Sequence, residues 1–183
     1  MEEIKRIGRE LKHAGAIVDF FSDSMEMPDG NVVQWDLIHH RKGAAAVIPV
    51  MPDGKILMVR QFRNALDRIT LEIPAGARDG SNEDTAVCAA RELEEETGYK
   101  AGRITYLLSL RPTVAYCDEF IDVYLAEDIT AGQKHPDEYE FIEIEMHDLD
   151  ELVERIYRGE IQDGKTVAAI LALKCRQDVK SIQ

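Results

Sequence analysis

The chain has 183 residues, 45% of them hydrophobic, with 22 Lys and Arg against 35 Asp and Glu for a net charge of −13. That length and hydrophobic share fit one well-packed domain with a small appendage and exclude a disordered chain. The acidic balance excludes a nucleic-acid backbone or an anionic membrane as the natural partner, so a phosphorylated ligand needs local positive charge from metal ions or particular arginines. No apolar run approaches a membrane span, MEEIKRIGRE is too charged for a secretory signal, and Cys88, Cys117 and Cys175 lack metal-pair spacing. Reduced thiols in a cytoplasm are therefore expected.

In chain order, Ile4, Ile7 and Leu11 recur at helical spacing and predict a short helix within residues 1–13. The segment 14–27 and the run VVQWDLIHH suit two strands joined by the turn Pro28-Asp29-Gly30-Asn31. This antiparallel hairpin has an apolar face with little nearby to cover it, so it is expected to pack on the main domain or on another subunit. Arg41-Lys42-Gly43 marks a boundary, which divides the chain into an N-terminal region, 1–42, and a main domain, 43–183. There AAAVIPVM and KILMVRQFR, joined by Pro52-Asp53-Gly54, read as a second hairpin. A short strand at 69–73 leads through Pro74-Ala75-Gly76 into a helix ending near Gly98. Strands follow at RITYLLSLRP, EFIDVYLAED and EFIEIEMHD, then helices at 149–158 and 165–177. The acidic stretch Asp137-Glu138-Tyr139-Glu140 reads as a solvent-facing loop. Strands and helices out of strict alternation imply an α+β or layered α/β/α domain.

The stretch GARDGSNEDTAVCAARELEEETGY, Gly76 to Tyr99, organises the rest. On a helix, Glu92, Glu95 and Glu96 stand at i, i+3 and i+4 and share one face, while Ala86, Ala90, Leu93 and Thr97 form a separate stripe expected to pack inward. Gly98 supplies the left-handed stop. On an exposed helix such acids cost only about 0.2–0.5 kcal/mol per like pair, so a solvated acidic face is allowed. In a cleft, two carboxylates about 6 Å apart repel by roughly 3 kcal/mol at an effective dielectric of about 20, and a divalent cation reverses the sign. Hard oxygen ligands suit Mg²⁺ or Mn²⁺, which join a few carboxylates to substrate phosphates.

This stretch resembles the Nudix box, G-x5-E-x7-R-E-U-x-E-E-x-G-U with U aliphatic. Glu83, seven intervening residues and Arg91-Glu92-Leu93-Glu94-Glu95-Glu96-Thr97-Gly98 match in order and spacing. Two departures stand out: six residues instead of five separate Gly76 from Glu83, and Tyr99 replaces the aliphatic residue. The insertion precedes the helix and should leave the carboxylate geometry intact. Glu72-Ile73-Pro74-Ala75-Gly76, Val59-Arg60-Gln61-Phe62-Arg63 and GEIQDGKT at Gly159 to Thr166 further resemble the ADP-ribose pyrophosphatase branch of the Nudix hydrolases. The resemblance implies a Nudix-type α/β/α sandwich with a mixed β-sheet. It also implies that the N-terminal antiparallel β-hairpin is exchanged between subunits of a homodimer and helps to form the nucleotide pocket.

Residue by residue, the resemblance implies that Glu92 and Glu96 bind metal, Mg²⁺ or Mn²⁺, together with the carbonyl of Ala75. Glu95 would hold a second metal or its water, and Arg91 would orient the acids, chiefly by pairing with Glu83. In this branch a glutamate on a loop after the box acts on the attacking water. Glu119, in Cys117-Asp118-Glu119, sits where that loop should be, although a plain surface acid at a strand start is the alternative. The branch usually shows Ser-Pro-Gly upstream, where this chain has Arg111-Pro112-Thr113-Val114-Ala115-Tyr116.

Arg63 is the candidate phosphate or ribose contact, because a guanidinium fork fits phosphate oxygens. Glu72 either hydrogen-bonds ribose hydroxyls or braces its loop, and Gly76 belongs to the same substrate-binding turn. Trp35, the single tryptophan, either stacks on a base in a partner's pocket or fills an interface. His39 and His40 lack a ligand partner at metal spacing and read as structural or surface residues. The expected reaction is metal-dependent hydrolysis of the pyrophosphate of a nucleoside diphosphate sugar, with ADP-ribose giving AMP and ribose 5-phosphate. Another sugar nucleotide or a damaged nucleotide is the enzymatic alternative. A Nudix-like sensor that binds a nucleotide sugar without cleaving it is the alternative of another class, and it should lack one or more box acids, which this chain keeps.

Overall fold

The computed structural model describes residues 3–135 and 141–182, the last four of them as backbone only; the acidic stretch at 137–140 lies outside the described residues. In chain order these residues form β1 (Lys5–Ala14), β2 (Val18–Glu26), β3 (Val32–His40), β4 (Ala44–Pro49), β5 (Ile56–Arg63), β6 (Arg68–Glu72) and β7 (Ala75–Ala77). There follow α1 (Thr85–Thr97), β8 (Tyr99–Leu110), β9 (Ile121–Ala131), β10 (Glu143–His147), α2 (Leu149–Tyr157) and α3 (Gly164–Ile182).

Strand β4 shows how the layers arise. All six of its residues are buried, and alternate side chains leave opposite faces. Ala45 and Val47 pack with Cys88, Ala89 and Leu93 of α1. Ala44, Ala46 and Ile48 join Ile56 and Met58 of β5, Leu152 of α2 and Ile170 of α3 on the other side. A strand covered on both faces belongs at the centre of a sheet. Here the order is β7-β4-β9-β8, with β4 parallel to β9 and antiparallel to β7. A second, antiparallel sheet has the order β10-β5-β6, and a third, β1-β2-β3, is built from the N-terminal region. The architecture is thus the expected α+β arrangement, a mixed sheet layered between helices.

Three expectations are corrected. Residues 5–14 form a strand, not a helix. They pair along β2 with register shifts between Arg6 and Gly8 and between Leu11 and His13, and such bulges break the two-residue alternation, so the apolar spacing mimics a helix. The predicted β4–β5 hairpin is only a turn, with Met51 N–H donating to the Lys55 carbonyl at 2.8 Å and one bridge, Val50 to Ile56. Its strands part into different sheets because β4 is claimed by β7 and β9 on its two edges. The inward stripe of α1 is Cys88, Ala89, Leu93, Glu96 and Thr97, whereas Ala86 and Ala90 are half-buried. Burying Glu96 rotates the helix from the purely apolar expectation.

In the N-terminal sheet, Leu11, Phe21 and Leu37 form one cross-strand row and Arg9, Asp23 and Trp35 the next. Leu11 and Trp35 are exposed. The end of β3 is sewn to the main domain: Ile38 N–H donates to the Tyr116 carbonyl at 2.7 Å and Asp118 N–H to the Ile38 carbonyl at 3.2 Å. Among the described residues no helix is long and apolar enough to cross a membrane, and Cys88, Cys117 and Cys175 are all free thiols.

Candidate active site

The turn before α1 and the helix itself are locked at both ends. The Asp84 carboxylate accepts from Ala86 N–H at 2.8 Å, an N-cap worth about 1 kcal/mol, and Gly98 ends the helix at φ 76°. Upstream, Val47 N–H donates to the Pro74 carbonyl at 2.9 Å, and β7 lies antiparallel along β4, so Ala75 and Gly76 run beside the acidic helix. Ala75 N–H donates to Glu96 Oε2 at 3.2 Å. A Cβ on Gly76 would fall 2.3 Å from the Glu92 carboxylate. Glycine at this position is what lets Glu92 lie against the backbone.

Arg91 gathers the acids. Its Nε donates to Glu83 Oε1 at 3.1 Å, and its Nη1 donates to Glu92 Oε1 at 2.7 Å and to Glu95 Oε2 at 2.8 Å. Burial works against the Arg91 charge, but Glu83, Glu92 and Glu95 outweigh it and raise its pKa. Arg91 in turn holds the Glu83 carboxyl below its ordinary range. The loop with the extra residue is braced by Arg78, which donates to the carbonyls of Lys42 at 2.6 Å, Ser81 at 2.8 Å and Glu83 at 3.0 Å. The insertion is absorbed there, ahead of the helix.

These donors fit a hard divalent ion. One guanidinium faces Glu83, Glu92 and Glu95, Glu96 adds a further buried carboxylate, and every available donor is oxygen. Among the described residues no three His, Cys, Asp or Glu side chains are grouped closely enough to hold a metal ion by themselves. Mg²⁺ rarely uses an all-protein cage, relying on one or two carboxylates, waters and substrate phosphates.

Beside the acids opens a cavity of about 630 Å³, lined by Arg63, Ala75, Gly76, Arg111, Glu119 and Lys165 among others. Arg63 reaches it while gripping Glu72, with Nε to Oε1 at 2.8 Å and Nη2 to Oε2 at 2.6 Å. Lys165 also pairs with Glu72, and Thr70 Oγ1 donates to its Oε1 at 2.6 Å. Glu72 is 1% exposed, so of its two predicted roles the geometry displays the brace, which fixes Arg63 at the cavity wall. Burial alone would raise the Glu72 pKa, but Arg63, Lys165 and Thr70 hold it at about 2. A folded-state pKa below the unfolded value gives stability that is full above the ordinary carboxyl pKa of 4.5 and is lost as pH falls toward about 2. The difference is worth about 3 kcal/mol. Urea unfolding should therefore show the wild type losing stability steeply between these limits, and Glu72→Gln, less stable at pH 6, should have a flatter profile. Parallel profiles would refute this.

Glu119 also lines the cavity, and its side chain is 27% exposed. The adjoining Asp118 carboxylate is bound by His39 Nδ1 at 2.6 Å and by His40 N–H at 2.9 Å. Burial would raise the Asp118 pKa, but His39 and the His40 amide lower it. Trp35 is 47% exposed and does not line the cavity of its own chain. Ala75, Gly76, Arg63 and Glu119 thus share one cavity. Glu92 and Glu96 lie against the Ala75–Gly76 turn, Glu95 is held by Arg91, Glu72 stands behind Arg63, and Trp35 is apart from them. Sequence reasoning passed over Arg111, Lys165 and His40 as site residues. Arg111 lies in the segment that departs from the branch pattern; its guanidinium is 5.1 Å from the Phe120 ring centroid, with Arg78 5.3 Å from the same ring. Lys165 lies in GEIQDGKT, a run whose resemblance was visible although no role for the lysine was.

The NUDIX domain family matches residues 39–170, and the chain belongs to that family. It is a Nudix hydrolase of the ADP-ribose pyrophosphatase-like branch. It is 34% identical over 181 residues to the ADP-ribose pyrophosphatase of Bacillus subtilis (strain 168), covering 98% of this chain and 97% of that one. It is 36% identical over 180 residues to a methanol dehydrogenase activator of Bacillus methanolicus, covering 97% and 96%. A crystal structure of an ADP compounds hydrolase superimposes with a TM-score of 0.89 at 18% identity, covering 98% of this chain and 97% of the other. That likeness confirms the fold.

Proposed function

We propose that the protein hydrolyses the pyrophosphate linkage of a nucleoside diphosphate sugar, with ADP-ribose as the preferred substrate and AMP and ribose 5-phosphate as products. The observation that carries this reading is that the acid-lined turn Ala75–Gly76, Glu119 and the cations Arg63, Arg111 and Lys165 all border one cavity. A volume of about 630 Å³ falls in the range of small-ligand sites. Relatives named for ADP-ribose support the choice of sugar nucleotide.

Glu92, Glu96 and the Ala75 carbonyl would hold Mg²⁺, or Mn²⁺, with Glu95 available to a second ion or to water, and the metal would supply charge neutralisation of the diphosphate and a more acidic water. Arg91 keeps the carboxylates on one side of the turn. Arg63 and Arg111, which border the same cavity, take phosphate oxygens, for which a guanidinium fork is well matched. Glu119 accepts a proton from the attacking water as general base. The water oxygen bonds to phosphorus, the bridging P–O bond breaks, and the leaving phosphate carries away the electron pair.

The N-terminal region, 1–42, joins two copies as a homodimer through the face bearing Leu11, Phe21, Leu37 and Trp35, and brings Trp35 to the partner's nucleotide. The exposure of Leu11, beside Phe21 and Leu37, and of Trp35 in the neighbouring row on the same face supports this. Light scattering should give the mass of two chains; the mass of one would remove the proposal.

The test of function is product identification. The protein is incubated with Mg²⁺ and a panel of nucleoside diphosphate sugars, dinucleotides and an oxidised nucleoside triphosphate. AMP from ADP-ribose above all other products is expected. Preference for another sugar nucleotide would leave the site and change the specificity, and binding without turnover of any of them would favour the sensor.

A further inference from the structure

We propose that His40, at the last position of β3, is the residue that positions Glu119 for its work as general base; this rests on the hydrolase reading above. The backbone N–H of Gly43 donates to His40 Nδ1 at 3.0 Å. A nitrogen that accepts from a backbone N–H carries no proton, so the neutral ring bears its hydrogen on Nε2. That Nε2–H faces Glu119 Oε1 across 3.9 Å. The gap exceeds a hydrogen bond by about 1 Å, and catalytic hydrogen bonds of substrate-free enzymes often tighten only in the complex. The His40 side chain is 10% exposed, and both residues line the same cavity.

The backbone fixes the ring's own position. Ile38 pairs with the chain at Cys117, His40 N–H holds the Asp118 carboxylate at 2.9 Å, and Gly43, at φ 70°, would place a Cβ 2.3 Å from the Phe120 ring. The chain from β3 to β4 therefore closes on residues 116–120 from three sides, and the one ring N–H it presents to the cavity stands opposite the base. A donor there orients one carboxylate oxygen of Glu119 toward the ring. The second oxygen is left for the water. Asn at position 40 keeps an acceptor for Gly43 N–H but is too short to offer a donor to Glu119, whereas Gln reaches further and offers one.

The test is a double-mutant cycle on the full chain with ADP-ribose and Mg²⁺. His40→Asn should keep the wild-type melting temperature, hold KM within about twofold and lower kcat roughly tenfold. His40→Gln should recover most of that loss. In a Glu119→Gln background, His40→Asn should change kcat by less than about twofold, because the group it positions is already gone. Wild-type kcat in His40→Asn, or an equal loss in both backgrounds, overturns the assignment of His40 while leaving Glu119 as base. Unchanged kcat in Glu119→Gln alone overturns the base assignment and the positioning role with it.

Discussion

Glu96→Gln is expected to lower kcat by about a thousandfold, equivalent to roughly 4 kcal/mol of lost transition-state stabilisation, without unfolding the protein. Glu96 is 2% exposed and inside the packed face of α1, so the shape-conserving amide preserves the packing. Its carbonyl oxygen can still accept from Ala75 N–H, which now holds Glu96 Oε2 at 3.2 Å. What the variant loses is a buried negative charge, and a folded protein has no need of such a charge for packing. A melting temperature equal to or above the wild type's, together with collapsed turnover, would show that the carboxylate serves chemistry. Undiminished turnover would remove Glu96 from the metal site.

Gly76→Ala is expected to lower kcat about a hundredfold through displacement of a neighbour. Gly76 is not among the glycines with positive φ, so its backbone accepts an alanine. The new Cβ, however, would meet the Cδ and both oxygens of Glu92 at 2.3 Å. Because the obstacle is the end of a flexible side chain, Glu92 moves aside and stability changes little. An ångström of misplacement at a reacting centre is enough for the predicted loss. Gly80→Ala is the control, since nothing lies within 4 Å of its Cβ, and its turnover should match wild type. Equal turnover in both variants would show that Glu92 need not lie against the turn.

Much of this was legible in the chain because its signals are local. Glu92, Glu95 and Glu96 at helical spacing, the Gly98 stop and the turn at Ala75–Gly76 each follow from a few adjacent residues, and the Arg91–Glu83 pair came from the resemblance. What escaped depends on partners distant in sequence. The helical spacing of Ile4, Ile7 and Leu11 is imitated by a twice-bulged strand whose partner is β2. The Pro52-Asp53-Gly54 turn was correct, but nothing beside it reveals that β4 pairs with β7 and β9 instead of β5. His40 lacked a nearby ligand and so read as structural; its counterpart, Glu119, is 79 positions away. The polarity of Glu96 concealed that α1 turns it inward.

Divalent metal is expected to bind at Glu92, Glu96 and the Ala75 carbonyl in the presence of a diphosphate. Titration calorimetry of Mg²⁺ or Mn²⁺ into the protein, with a non-hydrolysable ADP-ribose analogue bound, tests this most directly. Saturable uptake by the wild type, lost in Glu96→Gln, is predicted. Absence of uptake by the wild type, or identical uptake by the variant, would contradict it.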